Sequence, residues 1–227
     1  MANQNDSFID EVTEELRRDR LYGAFRRYGW IGILVILLIV GGAAWREYSR
    51  AQDRAAAEAW GDAVLAAEAA NDPAALDAVD ARGSAGRKAL SALLAAGAHD
   101  AAGNDAAAAE ALRAVAADTS ETPVLRELAE LKLVMLQGQQ MDASERDAIL
   151  TRLSRAGAPF ELLALEQKAV ALVEAGRSED AVTLIRQIQQ KDGQSEALRR
   201  RLSEMMIALG VEPEPADLPS GAATATN

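Results

Sequence analysis

The chain has 227 residues, a formal charge of -11, 49% hydrophobic and only 4% aromatic residues, a single histidine and no cysteine. Without cysteine there is no disulfide framework, thiolate nucleophile or cysteine metal site. The first 46 residues hold six acids and six arginines, so the negative charge belongs to residues 47–227; an acidic part of this kind repels nucleic acid and anionic lipid and points to protein partners.

The leading segment, residues 1–27, opens with Ser7 and Asp10 in capping-box spacing, which predicts a helix start. Phe8, Val12 and Leu16, then Leu21 and Phe25, make an apolar stripe. That pattern describes an amphipathic helix at a lipid surface, with a contact to another membrane protein as the alternative reading.

From Tyr28 to Trp45 there is no charge, and Ile31 to Val40 is an unbroken apolar block. At about 1.5 Å per residue, eighteen residues make a helix of roughly 27 Å, the thickness of a bilayer's hydrocarbon. Residues 28–46 therefore read as one transmembrane helix. Arg17, Arg18, Arg20, Arg26 and Arg27 precede it, against Arg46, Arg50 and Arg54 after it. This bias places the amino terminus in the cytoplasm and the long carboxy-terminal part across the membrane. Arg26, Arg27, Tyr28 and Trp30 at one end, and Trp45 and Arg46 at the other, are the expected membrane-interface residues. A cleaved signal peptide is the competing reading, since Gly42-Ala43-Ala44 offers small residues, but a 27-residue acidic leader is foreign to signal peptides.

Residues 47–210 are dominated by helix formers and lack alternating β-branched runs, which predicts an all-α domain. The first helix is expected to run past Trp60 to about Ala70. Breaks come at Asn71-Asp72-Pro73, Gly83, Gly103-Asn104, Thr122-Pro123, Gly138, Gly157 to Pro159, Gly176, Gly193 and Gly210, leaving helices of ten to seventeen residues.

Between Leu162 and Gly193 the pattern is that of a tetratricopeptide hairpin: Leu165, Ala169, Leu172, Gly176, Ala181, Ile185 and Ile188 take its packing positions. Ala169 and Ala181 permit close approach of the two helices, the larger side chains fill space toward the next repeat, and Ser178 is placed to cap the second helix. A weaker copy runs through Ala92, Ala96, His99, Gly103, Ala108, Leu112 and Val115. Val124, Leu128, Leu131 and Met135, and later Leu198, Leu202, Met205 and Leu209, mark further one-sided helices. Stacking is needed to cover such faces, which predicts a small helical-hairpin solenoid. Residues 211–227, with Pro213, Pro215 and Pro219, have too little apolar content to pack and read as a disordered tail.

Chemistry is sparse. His99 falls at a core position of its helix, where a packed or hydrogen-bonded imidazole is expected. Asp142, Glu145 and Asp147 suit a helix start, with Asp142 or Ser144 as its cap, and lack the spacing of a calcium loop. Arg199-Arg200-Arg201 reads as a solvated helix face. No catalytic residue, cofactor or metal site and no small-molecule substrate is expected, and the protein reads as a non-enzyme.

Ser7-Phe8-Ile9-Asp10-Glu11-Val12 through Glu15 to Asp19, the anchor ending in Trp45-Arg46 and the alanine-rich helices after it resemble the ancillary SecYEG translocon subunit family of bacterial inner-membrane proteins (YfgM-like), in its alphaproteobacterial form. The resemblance implies a cytoplasmic amino terminus, one transmembrane helix and a periplasmic tetratricopeptide-like domain. It also implies partners: the protein-export channel, a membrane-anchored periplasmic chaperone of prolyl-isomerase type, and exported clients. A scaffold for envelope assembly or cytochrome maturation is the alternative use of the same architecture.

Overall fold

Helix formers fill the chain, and wherever glycine, proline or a capping residue interrupts them a helix ends. The computed structural model describes residues 4–212, with side chains from residue 26 onward. Its described part is all-helical, with no strand. The elements are α1 (Gln4–Ala69), α2 (Pro73–Asp77), α3 (Ala85–Ala101), α4 (Asp105–Ala117), α5 (Pro123–Gln137), a 3-10 turn (Gly138–Gln140), α6 (Ala143–Leu153), α7 (Glu161–Glu174), α8 (Ser178–Gln189) and α9 (Glu196–Ala208). α1 begins at Gln4, a turn before the expected start at Ser7, and the stripe of Phe8, Val12 and Leu16 concerns side chains outside the described ones. Between Pro73 and Gly83 a five-residue α2 replaces a full-length helix. Asp72 caps it, accepting from the Ala74 N–H at 3.0 Å, and Pro73 occupies its first turn where no N–H is needed.

Two compact units divide the chain, Met1–Ala59 and Trp60–Asn227, with the boundary between them inside α1. In the first unit an 18-residue window of α1 has mean hydropathy 2.0 and is not buried at all, so α1 is long and apolar enough to cross a membrane. Within it Ile31 is 40% and Leu38 68% exposed.

The second unit is a stack of hairpins. α3 packs on α4, α5 on α6 and α7 on α8, while α3 also touches α5, and α5 touches α7. That alternation is what a helical solenoid requires, because no hairpin can bury both its faces alone. Three buried positions recur in each first helix: Ser91, Leu93 and Ala96 in α3; Ala129, Leu131 and Val134 in α5; Ala164, Glu166 and Ala169 in α7. In the second helices the recurrent set is Ala108, Leu112 and Val115; Arg146, Leu150 and Leu153; Ala181, Ile185 and Ile188. Both sets shift by 38 and then 35 residues, so the three hairpins share one register. The outer two close with the same turn. Ala102-Gly103-Asn104 and Ala175-Gly176-Arg177 place glycine at φ 75° and 73°, where a side chain is disfavoured, and the next N–H bonds back to His99 and Leu172 carbonyls at 2.8 and 2.9 Å.

Several details depart from the sequence reading. Ser178 is the first residue of α8 and makes no cap bond; Arg177 holds the cap position because the glycine turn delivers the chain into the helix one residue earlier. Of the stripe expected on α5, Leu131 is buried, but Val124 and Met135 are 47% and 58% exposed, and Ala129, Leu133 and Val134 complete the buried side. Val211, assigned to the tail, packs against the cluster formed by α7, α8 and α9; residues 213–227 lie outside the described part.

At the carboxy-terminal end, Glu166 occupies the register that leucine fills in α3 and α5, and is only 5% exposed. Arg201 of α9 answers it with two bonds, Nε to Oε1 at 2.6 Å and Nη2 to Oε2 at 2.7 Å, so the arginine run is not wholly a solvated face. Arg201→Ala is expected to cost about 1–3 kcal/mol by stranding a buried carboxylate. Glu166→Leu should cost less, because leucine already suits that register and Arg201 is free to turn to water. Equal losses in urea unfolding of the full chain would contradict this assignment.

Candidate interaction face

The register that buries one side of each first helix also decides what the same helix leaves in water. Four and three residues apart on α3 stand Leu90, Leu94 and Gly97. Shifted by the repeat offsets, the equivalent positions are Leu128, Lys132 and Met135 on α5, and Leu163, Gln167 and Val170 on α7. These steps place each trio on one helix stripe, and the stripes lie on neighbouring helices. Leu90 and Leu163 are 41% and 39% exposed, Leu94 is 38%, and Leu128 and Val170 are half-buried. Val124 lies one turn before Leu128 on the same stripe. Among the described residues of the second unit, seven large apolar side chains are exposed, and five of them, Leu90, Leu94, Val124, Met135 and Leu163, belong to this face. Lys132 is the single charged member of the nine positions.

A hollow of about 270 Å³ opens on the face between α3 and α5, with Gly97, Asp100, Lys132, Met135 and Leu136 around it. A second, of about 420 Å³, lies beside Leu94 between the end of α1 and α3. A third, of about 690 Å³, is at the start of α7 and includes Pro159, Phe160, Leu163 and Leu198.

The expected packing residues sit in two layers. Ala169, Ala181, Ile185 and Ile188 are fully buried, Leu165 and Leu172 are half-buried, and Gly176 makes the turn at positive φ. They form the wall behind the exposed face rather than the face itself. Arg26, Arg27, Tyr28, Trp30, Trp45 and Arg46 are all exposed on α1, and the Trp45 and Tyr48 rings stand 6.3 Å apart. His99 bonds through Nε2 to Asp77 Oδ2 at 2.8 Å, tying α2 to α3.

Polar side chains that the sequence did not single out hold the stack in place. Trp60 Nε1 donates to Ser91 Oγ at 2.9 Å, satisfying a buried hydroxyl at the amino-terminal end. In the middle hairpin Arg146 stands where the other two bury alanine. Its Nη1 donates to the Gly138 carbonyl at 3.0 Å and to Glu174 at 2.8 Å, which bridges α6 to α7. Arg152 meets Glu130 at 2.6 Å across α5 and α6, and Glu130 holds its guanidinium above the ordinary range. The only advance signal for these contacts is the fixed offset, which exposes Arg146 and Glu166 as charged residues at apolar register positions.

Three surface carboxyls are held below the usual carboxylate range. The Ser120 hydroxyl is the main cause at Asp118, the Ser144 hydroxyl at Asp142, and the Lys191 ammonium, seconded by the Gly157 N–H, at Glu161. Each is better ionised when folded, so each adds stability above the unfolded carboxylate pKa of about 4, and that stability is lost as pH falls through the lower folded value. Urea midpoints are expected to fall on acidification from about pH 5 to pH 3. Glu161→Gln should flatten part of that fall, and an unchanged pH profile in this variant would contradict the Lys191 pairing.

A family model described as a tetratricopeptide repeat-like domain matches residues 25–207. Comparison with curated proteins and with solved structures gives no match. The matched span takes in the apolar stretch of α1 as well as every hairpin, and it agrees with the shared offsets and glycine turns of the repeat unit. The chain belongs to the tetratricopeptide repeat-like domain family.

Proposed function

We propose that the protein is a single-pass inner-membrane interaction protein without turnover chemistry. In this reading residues 28–46 cross the bilayer, residues 1–27 stay in the cytoplasm, and the repeat unit works in the periplasm. There its first-helix face binds a folding factor or an exported client beside the protein-export channel. The exposed apolar stripe carries the interaction part of the proposal: a domain with a strong negative charge gathers five of its seven exposed large apolar residues on one face, and such patches mark binding surfaces. The arginine bias before the apolar stretch supports the orientation, and the resemblance of the leading segment supports the choice of partners. Confinement to one membrane raises the effective concentration of a weakly held partner, so a shallow face suffices.

A photo-crosslinking amino acid at Met135 is expected to capture envelope proteins in cells, with channel or chaperone components among them, whereas one at Arg186 on the exposed side of α8 should capture far fewer. Capture of cytosolic proteins alone would contradict the orientation, and equal capture from both sites would contradict the face. Protease added to spheroplasts is expected to digest the repeat unit; a protected repeat unit would also contradict the orientation.

A further inference from the structure

We infer that the face around α3 takes a protein segment in which large apolar side chains are interspersed with lysine or arginine. This rests on the proposed interaction role and adds the chemistry of the occupant. Two hollows flank the exposed stripe of α3. One has Leu76, Leu94 and Ala98 in its lining and Glu68 and Asp72 beside them; the other has Gly97 and Met135, with Asp100 beside them. Each hollow thus offers an apolar bed with acid at its edge.

Glu68 and Asp100 are exposed and form no ion pair among the described residues, while Asp72 spends one oxygen on the cap of α2. Both unpaired acids stand in the last turn of their helices, α1 ending at Ala69 and α3 at Ala101. A helix end of this kind already carries partial negative charge from its free carbonyls, so an acid there is locally disfavoured and a cation is favoured. Lys132, on the opposite side of the second hollow, supplies one positive charge against these acids. The balance is negative over an apolar floor. An incoming segment with alternating leucine and lysine satisfies both, the apolar part through burial and the basic part through complementarity that fixes register and speeds encounter. An acidic apolar segment meets repulsion at the same edges.

The test uses the full chain in nanodiscs of zwitterionic lipid, with empty discs as the reference. Binding of a fluorescent peptide alternating leucine with lysine is compared with its glutamate counterpart by anisotropy. The lysine peptide is expected to bind at least about tenfold more tightly and to weaken in high salt. Glu68→Gln combined with Asp100→Asn should remove about that tenfold, while Leu94→Ser with Met135→Ser should abolish binding of the lysine peptide in a chain whose circular dichroism is unchanged. Equal affinity for the two peptides, or full affinity in the neutralised variant, overturns the inference and leaves the interaction role standing. Absence of peptide binding together with no capture from Met135 in cells overturns both. Disulfide-linked copies from a single Leu90→Cys variant, formed without peptide, identify the face as a self-interface and also overturn the inference.

Discussion

Small side chains at the contact between paired helices set everything else in the repeat unit. Ala96 in α3 and Ala108 in α4, like Ala169 in α7 and Ala181 in α8, stand twelve residues apart in each hairpin and are buried to within a few per cent. Close approach of two backbones fixes their rotation, and rotation fixes which residues lie inside. Alanine contributes little apolar area by itself, so at about 25 cal/mol per Å² one such hairpin stabilises itself poorly. The larger side chains, Leu112, Leu150, Ile185 and Ile188, must be covered by the neighbouring helices. Stacking is thus a requirement of the alanine-rich composition, and the outward stripe is its by-product.

A stack has ends, and here both ends are finished with polar contacts. Trp60 supplies a hydrogen bond and apolar bulk at one end, where Val64, Ala67, Leu76 and Ala95 form a separate small cluster. At the other, α9 has no second helix described after it and covers the last hairpin with Leu198, Leu202 and Met206, held by the Glu166–Arg201 pair. Directional bonds suit an end, where apolar packing alone would tolerate several docking angles. The middle hairpin follows the same logic from inside: Val134 and Arg146 stand in place of two alanines, and the guanidinium bonds to the Gly138 carbonyl and across to Glu174 of the next helix.

Much of this architecture is legible in the sequence for identifiable reasons. Helix ends follow from backbone chemistry that glycine and proline display openly, and all of the predicted break points separate or end helices in the structure. The apolar run of α1 needs only counting. The outer hairpins can be read because Ala169 and Ala181, like Ala96 and Ala108, keep the small residues of the pattern. The middle hairpin cannot, since Arg146 removes that signal and Val124 with Met135 imitates a buried stripe. Periodicity tells that one side of a helix is apolar; it does not tell whether that side faces the core or a partner. The interaction face escapes the sequence for the same reason, and only the neighbours of α3, α5 and α7 distinguish the two.

Register therefore decides everything proposed for this face: Leu90 and Leu128 must lie side by side on the open surface while Ser91 and Ala129 lie inside. Because the chain has no cysteine, this is accessible to a single measurement on the full-length protein, thiol labelling and short-range crosslinking of the double variants L90C/L128C and S91C/A129C. The first pair is expected to react rapidly with a maleimide and to be joined by a bis-maleimide spanning about 10 Å, the spacing of packed helices, while the second stays unlabelled until urea unfolds the chain. Rapid labelling of the second pair with protection of the first would contradict the register and, with it, the proposed face.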